Sequence, residues 1–113
     1  MRVTQAELYQ ALKAIGYPVA YSHFVSTPQS RAPAPPFITY RFIDSADVMA
    51  DGRNYVEISD FAVELYTDTK DQVAEAAVQA KLKELGLPYV KSEAWIDSEK
   101  LFQVIYEIQL IGG

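Results

Sequence analysis

The chain has 113 residues, of which 50% are hydrophobic and 22% charged. That is the composition of an ordinary globular domain and too apolar for a disordered or collagen-like one. Lys and Arg total 10 against 15 Asp and Glu, a formal net charge of -5, so no long-range field draws this surface to a polyanion such as nucleic acid.

At this length folding removes roughly 60–70% of the extended chain's surface from water, enough for one packed core. Residues 1–113 are therefore expected to form a single domain. Cysteine is absent, which excludes disulfides, thiolate metal sites and cysteine nucleophiles and leaves stability to packing. Met1-Arg2-Val3-Thr4 leads directly into a helical pattern without an apolar leader, and no apolar run reaches the ~20 residues that span a bilayer. A cytoplasmic protein without membrane partners is expected.

Thr4-Gln5-Ala6-Glu7 has the form of a capping box, in which the Thr4 hydroxyl accepts from the Glu7 amide while the Glu7 carboxylate accepts from the Thr4 amide. Leu8, Leu12 and Ile15 follow on one helical face, and Gly16 and Pro18 supply cap and stop, which predicts a helix over about 5–15. Val19 to Phe24 is rich in β-formers. Ser26 to Pro36 carries four prolines among small polar residues and reads as a loop with polyproline-like backbone. Phe37 to Ile43 is an unbroken strand pattern, and Asp44 to Gly52 is polar, with Asp51-Gly52 as its turn signal.

Residues 53–66 read as one long strand whose alternation changes phase, with Val56 and Ile58 on one parity and Phe61, Val63 and Leu65 on the other. A bulge near Ser59-Asp60 would reconcile the two; the alternative is that the two ends serve different partners. Thr69 and Gln72 have capping-box spacing, and Ala74, Val78, Leu82 and Leu85 make the stripe of a second helix over 70–85, ended by Gly86 and Pro88. Residues 89–96 and 101–110 form a C-terminal hairpin around Asp97-Ser98-Glu99-Lys100. The expected fold class is α+β: two helices packed on one face of a mainly antiparallel β-sheet, in the order α-β-β-β-α-β-β.

No residue pattern carries catalysis. The only histidine, His23, has no histidine partner, and its sequence neighbour Ser22 is not placed as a nucleophile would be. Asp44, Asp47 and Asp51 crowd one segment, but the spacing fails the calcium-loop pattern, with Ala and Val at positions 46 and 48. Phosphate loops, nucleophile elbows and zinc motifs are missing from the sequence. The expectation is a protein that is not an enzyme and uses no metal or cofactor. Eight tyrosines are the unusual feature; aromatic rings with a polar tip suit interfaces, and five of them, Tyr40, Tyr55, Tyr66, Tyr89 and Tyr106, also fall where strands are expected.

The ordered set Gly16-Tyr17-Pro18-Val19-Ala20-Tyr21-Ser22-His23-Phe24, Pro35-Pro36-Phe37-Ile38-Thr39-Tyr40, Val63-Glu64-Leu65-Tyr66-Thr67-Asp68-Thr69-Lys70-Asp71 and Trp95 to Glu107 resembles the small tail-completion proteins of long-tailed bacteriophages and prophages, also called tail terminator or head–tail joining proteins. The likeness spans nearly the whole chain. It implies a structural virion protein, located in the virion tail after assembly in the host bacterial cytoplasm. It further implies a ring of six copies on the head-proximal end of the tail tube, contacting tube protein and head connector, with DNA passing through but not read by sequence. The family has no catalytic residues to transfer.

The contact surfaces that this resemblance implies fall on two loops, 26–36 and 44–52, with Pro28, Arg31 and Pro33 in the first and Asp47, Val48, Met49 and Asp51 in the second. Both are expected to be mobile in the free subunit. The competing reading is a monomeric ligand-binding or regulatory domain without catalysis.

Overall fold

The computed structural model describes residues 2–25, 27–29 and 31–112; Ser26 and Ser30 of the expected loop lie outside the described residues. The first helix, α1 (Gln5–Lys13), begins as its sequence dictates: the Thr4 hydroxyl accepts from the Glu7 amide at 3.1 Å and the Glu7 carboxylate accepts from the Thr4 amide at 3.2 Å. It ends two residues before Ile15, which sits in the final turn with its amide donating to the Leu12 carbonyl. The short β1 (Val19–Tyr21) then runs parallel to β2 (Phe37–Ser45).

The segment 44–52 is not a loop. Asp44 and Ser45 extend β2, after which β3 (Val48–Ala50) and β4 (Arg53–Val56) form an antiparallel hairpin that is a two-stranded sheet of its own. The expected 53–66 strand is correspondingly two strands, divided at Glu57: β4 pairs only with β3, while β5 (Ile58–Thr67) enters the main sheet. The phase change thus marks a change of partner. The register irregularity falls on the opposing strand, where Phe42 and Asp44 face Phe61 and Asp60 and Ile43 is the extra residue. Ser59 and Asp60 themselves are paired in regular register.

Helix α2 (Gln72–Glu84) is capped by Asp71, whose carboxylate accepts from the Ala74 amide at 3.0 Å, and not by Thr69. An aspartate two residues nearer the first buried turn offers both the cap and a negative charge at the positive end of the helix dipole. At its far end Gly86 adopts φ +72°, which lets the Leu87 amide reach back to the Leu82 carbonyl at 2.9 Å. Strands β6 (Val90–Ile96) and β7 (Leu101–Ile111) make the closing hairpin.

The main sheet has the order β1-β2-β5-β7-β6, antiparallel except for β1–β2. Both helices lie on one face, so the architecture is the expected α+β one with the second hairpin added. Leu8, Leu12, Val78 and Leu82 are fully buried against Ile38, Val63, Leu65, Val104 and Tyr106, while Ile15 and Leu85 are half-buried at the margin. By strand alternation the other face presents Thr39 and Arg41 of β2, Ala62, Glu64 and Tyr66 of β5, and Gln103, Ile105 and Glu107 of β7. The molecule is elongated, 50 × 30 × 25 Å.

Candidate functional site

The residues that could suggest catalysis are not assembled into a site. His23 is exposed, and its Nδ1 lies 3.3 Å from the neighbouring Ser22 hydroxyl. Asp44, Asp47 and Asp51 are separated by the fold. Asp44 lies in β2, Asp47 at the base of the second hairpin and Asp51 at its turn with φ +52°. Among the described residues no three His, Cys, Asp or Glu side chains are grouped to hold a metal ion.

What the chain does present is surface. On the β3–β4 hairpin, Val48 is 48% exposed, Met49 64% and Tyr55 74%. Val48 pairs with Val56 and Met49 with Asn54, so Tyr55 is an extra residue in a bulge, turned out of the ladder. The hairpin's base is tied rather than loose. The Asp47 carboxylate accepts from the Ile58 amide at 2.7 Å and from the Asn54 side chain, and the Ala46 amide donates to the Ile58 carbonyl at 2.8 Å. Those hydrogen bonds, from Asn54 first and then from the Ile58 amide, hold the Asp47 carboxyl below its ordinary range. Of the segment's candidate contacts, Val48 and Met49 are presented outward, Asp51 sits exposed at the turn, and Asp47 is spent on the hairpin's own anchorage.

The proline-rich connection between β1 and β2 is closed at its root, where the Phe24 and Phe37 rings meet edge to face with centroids 5.4 Å apart. Beyond that root Pro28 and Arg31 are exposed and Pro33 is half-buried. The loop therefore hangs from the Phe37 end of β2.

A cavity of about 680 Å³ opens at the other end of β2, where β7 runs on past the start of β6. Val90 pairs with Glu107, so Ile108 to Ile111 have β5 on one side and, among the described residues, no strand on the other. Its walls include Leu87, Val90 and Ile111 with the carboxylates of Asp44, Asp60 and Glu107, and among the described residues Arg2 is the one cation that lines it. A hydrogen bond shared with Asp60, followed by desolvation and the charges of Asp60 and Glu107, raises the Asp44 carboxyl above its ordinary range.

Sequence reasoning named Tyr55 only as one of the interface-suited tyrosines and did not single out Asp60 or Glu107 as site residues. Tyr55 is out of phase with its neighbours only because of the bulge, and the two acids come together through strand register, which no single segment displays.

No protein-family model matches the chain, and no curated protein matches it. Among solved structures it is similar to a chain of the virion of a native gene transfer agent particle, with a TM-score of 0.63 and 17% sequence identity over 95% of this chain and 92% of that one. At that identity the likeness is one of fold, and it extends over nearly the whole of both chains.

Proposed function

We propose that this chain is a structural subunit of a phage-type virion that completes the tail: a ring that caps the head-proximal end of the tail tube and joins it to the head connector, without catalysis and without a bound cofactor. The observation that carries the reading is the fold likeness, over nearly the whole chain, to a chain of a gene transfer agent virion. The surface supports it. A two-stranded hairpin is marginal by itself in water, and one that exposes Val48, Met49 and Tyr55 together is better suited to a partner than to solvent. A ring subunit also needs two unlike patches that meet each other on neighbouring copies, and this chain has distinct features at the two ends of β2.

Deletion of the gene in a producing host tests the proposal. Electron microscopy should show tails of irregular length and heads without tails, with normal particles restored by the chain supplied in trans. Normal particles in the deletion strain would overturn it and favour a ligand-binding domain using the cavity beside Val90 and Glu107.

A further inference from the structure

Building on the assembly reading, we propose that the proline-rich segment of one copy, led by Arg31, seats in the acidic cavity at the far end of β2 in a second copy, joining the chain to itself head to tail.

Charge complementarity identifies the occupant. Asp44, Asp60 and Glu107 line the cavity against a single cation among the described residues, Arg2, which leaves an excess of negative charge on its wall. Glu107 has no cationic partner among the described residues, Asp44 lies directly opposite Asp60 across the β2–β5 ladder, and Asp60 accepts from the Gln109 side chain at 2.9 Å. Residues 26–36 carry one charge, the cation Arg31, which is exposed and pairs with no carboxylate among the described residues. A guanidinium suits two carboxylates presented side by side, because its donors are fixed in a planar fork.

Shape and backbone agree with charge. Proline fixes its own φ before binding, so docking a proline-rich segment orders less that was free. The cavity has apolar walls at Leu87, Val90 and Ile111 for the proline rings, beside the unpaired outer edge of Ile108 to Ile111.

Within one copy the two lie at opposite ends of β2, and no described residue of 27–36 lines the cavity. The loop is rooted at Phe37 and the cavity begins at Ile43, six residues farther along β2, a span of roughly 20 Å at 3.3 Å per residue. Complementary features at opposite ends of one subunit make a heterologous contact, which repeats around a ring or along a stack.

The chain lacks cysteine, so introduced cysteines report this contact without background. Two differently tagged populations, one carrying Ala32→Cys and the other Val90→Cys, are mixed under mild oxidation. A disulfide between unlike tags is expected. Its yield should fall roughly tenfold when the first population also carries Arg31→Glu, since like charges facing each other across an interface repel strongly. It should recover when the second carries Glu107→Lys, with thermal midpoints of all four proteins alike.

No cross-link, a yield indifferent to Arg31→Glu, or no recovery with Glu107→Lys would overturn the contact. Electron microscopy of particles complemented with the Arg31→Glu chain separates the two proposals: normal capped tails overturn this contact and leave the tail-completion reading standing, whereas normal particles with no chain at all overturn both.

Discussion

At the scale of single residues, two buried glutamates organise the sheet from opposite faces. Glu75, in the first turn of α2, is 4% exposed and receives the Lys91 ammonium at 2.7 Å and the Lys70 ammonium at 2.8 Å, tying the helix to the β6 edge. Burial alone would raise its carboxyl; the hydrogen bonds and charges of Lys70 and Lys91 outweigh that and lower it from its ordinary value of 4.5. A group whose folded value lies below its unfolded one stabilises the fold above the unfolded value, and that contribution is lost as pH falls through the folded one. Thermal midpoints measured from about pH 6 to about pH 3 should therefore fall less steeply in Glu75→Gln than in the native chain. The variant should also be less stable at neutral pH by about 1–3 kcal/mol, because a buried carboxylate hydrogen-bonded to two ammoniums is replaced by a neutral amide. Parallel pH slopes would show that Glu75 is not the linked group. On the other face Glu64 is covered by its neighbours, accepting from Arg41 Nε at 3.1 Å, from the Thr39 hydroxyl at 3.4 Å and from Gln103. Glu64 alternates with the core-facing Val63 and Leu65 and so lies on the outward face. Its burial, like the pairing of Glu75 with Lys91, depends on cross-strand register and so was not legible in any one stretch of sequence.

At the scale of elements, legibility followed local chemistry. Both helix stripes, the Thr4 capping box and the C-terminal hairpin rest on residues within a few positions of one another, and all are present. The second hairpin was hidden because β3 has only three residues, Val48–Ala50, set between Asp47 and Asp51 in a stretch whose acids depress strand propensity. Its partner β4 was merged with β5 because Glu57 interrupts the β-formers for a single residue. The turn signal Asp51-Gly52 was correct: Gly52 takes φ +71° there, and the flanking strands pair across it. The hairpin depends on Asp47 at its base. Asp47→Ala should therefore raise amide hydrogen exchange across Val48–Val56 while leaving the core amides of β5 and β7 as slow as before, since the hairpin shares no ladder with the main sheet. Exchange that rises equally in the core strands would mean that the hairpin is a cooperative part of the domain rather than an appendage.

At the scale of the whole molecule, the helices shield one face of the sheet and leave the other face, the hairpin and the proline-rich loop as the surfaces open to partners. On the proposed reading the hairpin's apolar side is where a ring subunit meets tube or connector. The variant that tests this must leave the anchorage alone, because removing Asp47 would loosen the hairpin and confuse loss of contact with loss of shape. Val48→Ser, Met49→Ser and Tyr55→Ser together meet that condition. All three side chains are exposed, and none has a hydrogen-bond or ion-pair role in the hairpin's base. Substitutions at such positions ordinarily change stability by no more than about 0.5 kcal/mol each, so the thermal midpoint of the isolated chain should barely move. Association should suffer much more, because an apolar cluster at the centre of an interface contributes out of proportion to its area. Supplied in trans to a deletion strain, the triple variant should leave overlong or headless tails where the native chain restores whole particles. Whole particles with the triple variant would show that the hairpin's apolar side is not the surface that the tail or head requires. A lowered midpoint in the isolated chain would show instead that the three side chains belong to the fold.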